Sequence, residues 1–396
     1  MIIERDIVNE LMRNVSEFPV VAILGPRQSG KTTLVRMTFS EYTYVNLEHP
    51  EARLLAREDP KSFFAQFPPP IVLDEIQNVP ELLSYIQVWV DEHAHTGQYI
   101  LTGSHQPRLQ ASLGQSLAGR VGILFLLPLS IHEVEKAGFR FSWDKLIYKG
   151  FMPAVYAKKR NPVRLYRNYF RTYVERDVRS LIRLKRLIPF ENFMRLLAGR
   201  CGQIMNLHSL SGDVGVSSVT LKEWLSVLEA SFIIFRLPPF FENVGTRVVK
   251  SSKIYFTDVG LLAYLLGINS SKHVLRDPLR GNLFENMVVL EALKTGYNFY
   301  PDIEFYFYRD ARGNEVDLIV KSGRRLIPVE IKSAMTFNQE FIKGVKRFEK
   351  IFPKADGGVV FYTGDLDLKV DRVKVQNFKK IMDLIASTAN TGEIDG

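Results

Sequence analysis

Residues 25–32 read GPRQSGKT, and their types and spacing are suited to holding phosphate groups. They fit the pattern G-x-x-x-x-G-K-[ST] and follow the apolar run 20–24, which predicts a buried strand leading into a helix. The glycines let backbone N–H groups face a phosphate, and the helix adds its amino-terminal dipole. We expect Lys31 to reach the β- and γ-phosphates of ATP and Thr32 to hold Mg²⁺. The predicted phosphate-binding loop (P-loop) consists of Gly25, Pro26, Arg27, Gln28, Ser29, Gly30, Lys31, Thr32 and Thr33.

A second apolar run, 71–73, ends in two carboxylates, Asp74 and Glu75. A P-loop needs an acidic strand to hold its metal ion. We expect Asp74 to bind Mg²⁺ and Glu75 to act as the general base that polarises the attacking water. An acidic pair at a strand end is also an ordinary surface feature, and the P-loop before it favours the catalytic interpretation.

Two further polar residues adjoin predicted strands. Ser104 follows the apolar segment 99–102, where its hydroxyl would touch the γ-phosphate or the attacking water, with Thr102 behind it. Arg120 precedes the apolar segment 121–127 and could meet a γ-phosphate in its own subunit or in a neighbouring one. A plain strand-to-turn transition for Ser104 and a structural salt bridge for Arg120 are the alternatives.

A second candidate site lies in the last third of the chain. Glu285 lies on a predicted helix, Asp317 lies within a predicted strand, and Glu330 and Lys332 are two apart, so they share one face of another strand. The turn at 321–324 predicts a hairpin that brings Asp317 near Glu330. The predicted elements are a helix (282–295), strands (303–308, 315–320, 326–332), a helix (337–350) and a strand (357–362).

This α-β-β-β-α-β order resembles the restriction-endonuclease-like fold of PD-(D/E)xK nucleases. Hydrolysis of a phosphodiester needs a metal ion, and Mg²⁺ prefers the oxygen ligands that Asp317, Glu330 and Glu285 would supply. Lys332 would orient the nucleophile or stabilise developing negative charge. Val316 stands where the strict pattern has proline. The alternative is a nuclease-like fold kept for binding or packing.

In the first 140 residues, apolar strands alternate with helical stretches, and these elements must position the first site. This alternation predicts a parallel α/β sheet. A second strand is expected at 42–47 and a helix at 80–91.

Several motifs together resemble the bacterial and archaeal AAA-type ATPase family in which the ATPase domain is followed by a carboxy-terminal domain of unknown function. The motifs are GPRQSGKTT, IVLDEIQ, ILTGSH, LAGRVGILFLLPLSIHE, GFMPAVY (150–156), YVERDV (173–178), YFTDVGLLAYLLG (255–267) and GNLFENMVVLEALK (281–294). The resemblance covers most of the chain. It implies an AAA-type core with ATP and Mg²⁺ as cofactors, and it assigns no biological role.

The 396 residues predict two or three domains, and a hydrophobic fraction of 46% is ample for their cores. We expect an AAA-type ATPase domain at 1–140, a helical and winged-helix region at 141–270 and a nuclease-like α/β domain at 271–390. The single cysteine, Cys201, excludes an internal disulfide and a cysteine-rich zinc site. With no signal-peptide pattern and no long uncharged apolar run, we expect a cytoplasmic protein without membrane contact.

The net charge of +9 favours anionic partners, nucleic acid first. Its strongest bias is the stretch 158–187, whose basic residues are Lys158, Lys159, Arg160, Arg164, Arg167, Arg171, Arg176, Arg179, Arg183, Lys185 and Arg186. A helix starting at Asn161-Pro162 would place Arg164, Arg167 and Arg171 on one face and Tyr166, Phe170 and Tyr173 towards a core. The arginine face would follow a phosphate backbone, or it is a solvated face paired with Glu175 and Asp177.

Residues 201–241 predict a winged helix: a short helix from Leu207, a turn at 212–216, a helix at 218–229 and a strand at 232–235. Trp224, Leu225 and Leu228 would face inward. The second helix would read DNA, but its exposed residues mix basic with acidic ones, and packing or relaying motion is the alternative.

Together these features predict an ATP-hydrolysing protein that acts on nucleic acid, with DNA favoured, and with a possible metal-dependent nuclease at its carboxy terminus. The alternative is a nucleotide-gated switch or adaptor that binds a protein partner and carries an inactive nuclease-like domain. A small-molecule kinase ranks below both, because the Asp74-Glu75 pair suits activation of water. Assembly into homo-oligomers is left open.

Overall fold

The computed structural model describes residues 1–93, 95–104, 114–174, 187–241 and 251–389. The helices and strands in chain order are α1 (Val8–Glu17), β1 (Val20–Leu24), α2 (Lys31–Thr38), β2 (Thr43–Asn46), α3 (Pro50–Glu58), α4 (Pro60–Gln66), β3 (Ile71–Asp74), α5 (Leu82–Glu92), β4 (Tyr99–Gly103), β5 (Val121–Phe125), α6 (Ile131–Lys136), α7 (Trp143–Lys149), α8 (Pro153–Ala157), α9 (Pro162–Tyr169), α10 (Leu187–Gly199), α11 (Leu207–Val214), α12 (Ser218–Ala230), β6 (Ile234–Leu237), β7 (Lys253–Phe256), α13 (Val259–Leu265), α14 (Ser271–Arg276), α15 (Arg280–Phe299), β8 (Glu304–Arg309), β9 (Glu315–Ser322), β10 (Arg325–Lys332), α16 (Lys343–Ile351), β11 (Gly358–Tyr362), β12 (Leu368–Val370), β13 (Val373–Asn377) and α17 (Ile381–Ala389).

The amino-terminal sheet has five strands in the order β2-β3-β4-β1-β5, and every described pairing in it is parallel. This confirms the predicted parallel α/β sheet. The carboxyl ends of parallel strands meet at one edge, so the segments after β1, β3 and β4 lie side by side. The apolar run predicted as a strand at 121–127 leaves the sheet after Phe125.

Both faces of this sheet are covered, which explains why its strands are continuous apolar runs. Side chains of β1 alternate between two cores: Val20 and Leu24 pack with the cluster that includes α3, α4 and α5, and Val21 and Ile23 pack with α1 and α2. The sheet therefore forms a rigid layer from whose edge the loop at 25–30 projects.

The middle region is mainly helical. In α9 and the turn of π-helix that follows it (Phe170–Val174), Tyr166, Phe170 and Tyr173 are buried, as predicted. Helices α11 and α12 are followed by the antiparallel pair β6 and β7, and the residues between these strands at 242–250 are not described. Strand β6 begins two residues later than predicted, because Phe232 adopts a positive φ of 52° in the turn after α12.

The carboxy-terminal part carries a mixed six-stranded sheet in the order β12-β13-β11-β10-β9-β8. All six predicted elements from 282 to 362 are present, with β12, β13 and α17 added after them. In the predicted hairpin Val329 pairs with Leu318, so Glu330 and Asp317 are the next residues along the two strands.

One hydrophobic core runs through the middle region into the carboxy-terminal part, and α15 contributes Leu283, Phe284, Met287 and Val288 to it. Across the described ranges, none of the helices has the length and apolar composition that a membrane crossing requires.

Candidate functional site

The loop after β1 has the curled backbone that phosphate binding requires. A Cβ built on Gly25 would lie 2.2 Å from the carbonyl oxygen of Leu126, so only glycine fits beside the segment after β5. Gly30 has a φ of 99°, a conformation that glycine adopts readily, and α2 begins at the next residue. Gln28 also has a positive φ, of 63°. The local pattern of glycines therefore determines the shape of the loop.

Lys31 folds back over this loop. Its buried ammonium donates hydrogen bonds to the carbonyl oxygens of Gly25 at 3.0 Å and Pro26 at 2.9 Å. Burial lowers the pKa of Lys31 to about 8, although the carboxylates of Glu75 and Asp74 oppose that shift. The cation is thus held at the mouth of the loop, where the sequence places it.

Asp74, at the end of β3, accepts hydrogen bonds from three hydroxyl groups. Thr32 donates at 2.8 Å and Tyr44 at 2.6 Å to one oxygen, and Thr102 donates to the other. Thr32 and Asp74, predicted to share Mg²⁺, are therefore in direct contact, and this hydroxyl–carboxylate pair fits a hard divalent cation. Burial raises the pKa of Tyr44, and its hydrogen bond to Asp74 adds to that shift.

Glu75 follows in a left-handed backbone conformation, with a φ of 61°. Its backbone N–H donates to the Thr102 hydroxyl at 3.2 Å. The side-chain nitrogen of Gln77 donates to the Glu75 carboxylate and also to the Ser104 hydroxyl, at 3.0 Å. Glu75 and Ser104 are thereby joined through one side chain at adjacent strand ends.

Arg120 is not brought to the P-loop. Its carbonyl accepts from the backbone N–H of Val20, so Arg120 lies at the edge of the sheet opposite Gly25. Its guanidinium pairs with Asp91 at 2.5 Å. A role at the nucleotide of its own subunit is excluded by this geometry, because a whole strand length separates the two ends. A role across subunits stays a prediction.

Arg5 is a site residue that the sequence did not indicate. Its nearly buried guanidinium donates to the carbonyl oxygens of Ser29 at 2.6 Å and Leu127 at 2.7 Å, and it pairs with Glu133 at 2.9 Å. It clamps the P-loop to the segment after β5. No local pattern marks such a residue, because its partners are more than twenty positions away.

A cavity of about 1330 Å³ opens over the P-loop. Its lining includes Arg27, Gln28, Lys31, Thr32, Thr33 and Glu75 from the amino-terminal domain. The middle region closes another side: Pro153 Cγ lies 3.9 Å from a Cβ built on Gly30, and the Arg27 guanidinium lies 5.2 Å from the centre of the Tyr173 ring. This volume exceeds the range of about 300–1,000 Å³ that is typical of small-molecule sites, so the cavity between the two regions is large enough for a nucleotide.

The carboxy-terminal candidates also meet, but lysines lie between them. The Lys332 ammonium is 2.5 Å from Glu330 and 3.6 Å from Asp317. Asp317 also accepts from the backbone N–H of Ile331 at 2.9 Å. Burial raises the pKa of Glu330 to about 8, helped by Asp317 and opposed by Lys332.

Glu285 is held by the middle region. The buried Lys253 ammonium lies 3.0 Å from Glu285, 2.5 Å from Glu315 and 3.9 Å from Asp317. Tyr255 donates to Glu285 at 2.6 Å. Burial disfavours the charged form of Lys253, but these carboxylates outweigh burial and hold its pKa above the ordinary range. Glu315 could have been found from sequence, because it is two residues before Asp317 on one strand face.

The metal-site prediction for Glu285, Asp317 and Glu330 therefore does not fit this arrangement. Within the ranges given above, no three His, Cys, Asp or Glu side chains are placed to hold a metal ion together. Of the three predicted ligands, Glu285 pairs with the Lys253 ammonium and Glu330 pairs with the Lys332 ammonium.

The predicted basic face is present in part. Arg164, Arg167 and Arg171 are all exposed along α9 and the turn after it. Lys158, Lys159 and Arg160 are exposed as well. The remaining members of the stretch lie outside the described residues: Arg176, Arg179, Arg183, Lys185, Arg186 and the acidic Glu175 and Asp177.

The five-stranded parallel sheet and its loop define an AAA-type P-loop ATPase domain, and residues 17–135 match the family described as AAA domain. Residues 140–272 and 280–381 match two families described as domains of unknown function, DUF8612 and DUF4143. The chain is 33% identical over 345 residues to the uncharacterized proteins Rv2008c of Mycobacterium tuberculosis and Mb2031c of Mycobacterium bovis. The match covers 85% of this chain and 75% of each relative. The chain therefore belongs to the same protein family as these two proteins.

Solved structures show a more distant similarity. The Walker-type ATPase PABY2304 of Pyrococcus abyssi is 14% identical, covers 67% of this chain and 96% of its own, and has a TM-score of 0.45. AMPPCP-bound DnaA from Aquifex aeolicus is 12% identical, covers 57% of this chain and 86% of its own, and has a TM-score of 0.27.

Proposed function

We propose that this protein binds ATP with Mg²⁺ and hydrolyses it at the amino-terminal site. The observation that carries the proposal is the Asp74 carboxylate, which joins Thr32 of the P-loop to Thr102 of β4. Through Thr102 and Gln77, Glu75 and Ser104 belong to the same hydrogen-bonded group. Loop, acidic strand and neighbouring strand end thus form one site.

Each residue has a distinct task in this proposal. Backbone N–H groups of the loop and the Lys31 ammonium bind the phosphates. Thr32 and Asp74 hold Mg²⁺, which neutralises charge on the phosphate oxygens. Glu75 accepts a proton from the water that attacks the γ-phosphorus, and Ser104 contacts the γ-phosphate.

Phosphate release from ATP by the purified protein tests this proposal. We expect Mg²⁺-dependent turnover in the wild type and its loss in Lys31→Ala. The matched control is the variant Lys343→Ala, which replaces an exposed lysine on α16 and should hydrolyse ATP at the wild-type rate. Unchanged hydrolysis in Lys31→Ala would remove the site assignment.

We further propose nucleic acid, with DNA favoured, as the partner. The support is the exposed arginine face of α9, the net charge of +9 and the order of α11, α12 and the β6–β7 pair, which resembles a winged helix. A helical face of arginines binds a phosphate backbone by releasing counterions, so affinity should fall steeply with salt.

The salt dependence of duplex DNA binding tests this partner. Each phosphate contact contributes about 0.9 to the slope of log affinity against log salt, so replacing Arg164, Arg167 and Arg171 with alanine should reduce the slope by about 3. The matched control removes three exposed lysines elsewhere: Lys350, Lys354 and Lys369. Equal slopes in both triple variants would contradict the proposed contact.

A nucleotide-gated switch with a non-cutting carboxy-terminal domain is the second candidate. The observation in its favour is Lys253, whose ammonium lies among the carboxylates of a domain that resembles PD-(D/E)xK nucleases. Incubation of DNA and RNA with the protein and Mg²⁺ or Mn²⁺ distinguishes a non-cutting carboxy-terminal domain from a nuclease. Intact substrate favours the switch, and cleavage that disappears in Asp317→Ala would establish a nuclease instead.

A further inference from the structure

Gln77 lies between the proposed base and the proposed γ-phosphate contact of the nucleotide site. It lies in a short turn of 3₁₀-helix, Ile76–Asn78, directly after Glu75. Its amide nitrogen donates to the Glu75 carboxylate and to the Ser104 hydroxyl. One side chain thus sets the spacing between the proposed base and the proposed γ-phosphate contact.

The other end of this amide is unsatisfied. Gln77 Oε1 is buried and accepts no hydrogen bond from any residue in the described ranges. A buried amide oxygen without a donor destabilises the fold, so such an atom in a native site calls for an explanation. The nitrogen of the same amide donates to the Glu75 carboxylate, so the Oε1 acceptor lies next to the proposed base.

The backbone supports the same interpretation. Glu75 has a φ of 61°, a strained left-handed conformation that non-glycine residues rarely adopt. That strain is tolerated where the surrounding structure fixes a residue for its task. Here the hydrogen bonds to Thr102 and Gln77 fix Glu75 from its backbone and from its side chain.

We propose that Gln77 positions the water that attacks ATP. This inference rests on the proposed ATP hydrolysis. The amide nitrogen of Gln77 keeps Glu75 and Ser104 in register, and its Oε1 accepts one O–H of the water. The second O–H points to the Glu75 carboxylate, so both protons of the nucleophile have an acceptor and its lone pair faces the γ-phosphorus.

The step balances without any further reactant. The water oxygen forms a bond to the γ-phosphorus, and the bond from that phosphorus to the β–γ bridging oxygen breaks. One water proton passes to the Glu75 carboxylate, and the products are ADP and phosphate. Gln77 exchanges no proton and acts only by orientation.

A merely structural Gln77 would brace the turn after β3, and its loss would lower stability and ATP affinity together. A water-positioning Gln77 predicts a separation of these quantities. Gln77→Leu keeps the size of the side chain and removes both amide groups, so kcat should fall by about 10²-fold while ATP affinity stays unchanged. Gln77→Asn shortens the amide and should be intermediate. The matched control is Gln87→Leu, which replaces a half-exposed glutamine on α5 and should leave both kcat and ATP affinity unchanged.

The decisive experiment measures kcat and fluorescent-ATP affinity for the wild type and these variants. A fall in kcat at constant affinity in Gln77→Leu, with normal values in Gln87→Leu, supports the inference. A wild-type kcat in Gln77→Leu overturns it, and so does a loss of ATP affinity in step with kcat. If the wild type does not hydrolyse ATP, the proposed function fails first; if only Glu75→Gln stops hydrolysis, Gln77 alone is wrongly assigned.

Discussion

Lys31 combines burial with positive charge, and its contacts explain how both are tolerated. Two carbonyl oxygens of its own loop accept its protons, and the carboxylates of Asp74 and Glu75 oppose the effect of burial on its pKa. The loop therefore keeps its cation in place before a nucleotide arrives, which reduces the reorganisation that binding requires.

The pH dependence of ATP affinity follows from Lys31. Burial lowers its pKa to about 8, and only the protonated form attracts phosphate, so affinity should be high below pH 8 and fall as the pH rises through that value. Fluorescent-ATP titrations across this range check the expectation. Lys31→Ala should bind weakly with no inflection near pH 8. An inflection that persists in Lys31→Ala would assign the pH dependence to another group.

Among individual site residues, the sequence predicts those whose role depends on neighbours close along the chain. Lys31 and Thr32 are fixed by their spacing from two glycines, and Asp74 and Glu75 by their place at the end of an apolar strand. Tyr44 and Arg5 act through partners on other elements, so spacing along the chain carries no signal for them. Gln77 is close to Glu75 in sequence, but its contact with Ser104 depends on how β3 lies beside β4. Arg120 shows the converse: an arginine beside a strand lies at the wrong edge of the sheet.

Helix α15 links all three regions of the molecule. Asn286 exchanges hydrogen bonds with the backbone of Phe256 in β7. Five residues further on, the Glu291 carboxylate accepts from the N–H of Ile131, and after three more the Lys294 ammonium donates to the carbonyl of Leu129. These last hydrogen bonds attach α15 to the segment that follows β5 of the ATPase domain.

Glu291 and Lys294 form a buried ion pair, 2.7 Å apart, and burial raises the pKa of Glu291. Removing one partner leaves the other charge buried and unpaired, which typically costs about 3–5 kcal/mol. We therefore expect Glu291→Leu to lower the midpoint of chemical unfolding strongly. The double variant with Lys294→Met should recover part of the loss.

The exposed pair Glu340–Lys343 on the surface provides the control, because it has the same i, i+3 spacing in water. Its removal should change the unfolding midpoint very little. Equal shifts of the unfolding midpoint for the exposed and the buried pair would contradict the inference that the contacts of α15 stabilise the fold.

The type and order of the elements follow from apolar runs, whereas their exact ends and the contacts between them do not; the helix predicted at 337–350, for example, begins at Lys343. The order helix-strand-strand-strand-helix-strand at the carboxy terminus is predicted because each element has its own periodicity. The insertion of Lys253 among Glu285 and Glu315 depends on how β7 packs against α15 and β9, which is a property of the folded core.

In the whole molecule the nucleotide cavity lies between the ATPase domain and the middle region. Pro153 approaches the P-loop at Gly30, and Tyr173 contacts Arg27. A ligand that fills this cavity touches both regions at once, so its binding favours the arrangement in which they close on it.

Hydrogen exchange tests this closure. ATP with Mg²⁺ should slow amide exchange in the loop at 25–33 and also in α8, which lines the cavity from the middle region. The hairpin of β9 and β10, none of whose residues lines the cavity, is the internal reference. Lys31→Ala should abolish both effects, and protection confined to the P-loop would contradict closure between the regions.

The proposed ATP hydrolysis requires Glu75 to act as the base while the P-loop binds ATP independently of it. Comparison of ATP affinity and phosphate release between the wild type and Glu75→Gln tests this most directly. We expect nearly unchanged affinity and hydrolysis reduced by about 10²–10⁴-fold, because the amide cannot accept the proton of the water. Hydrolysis at the wild-type rate in Glu75→Gln, or loss of ATP binding along with it, would contradict the proposed role.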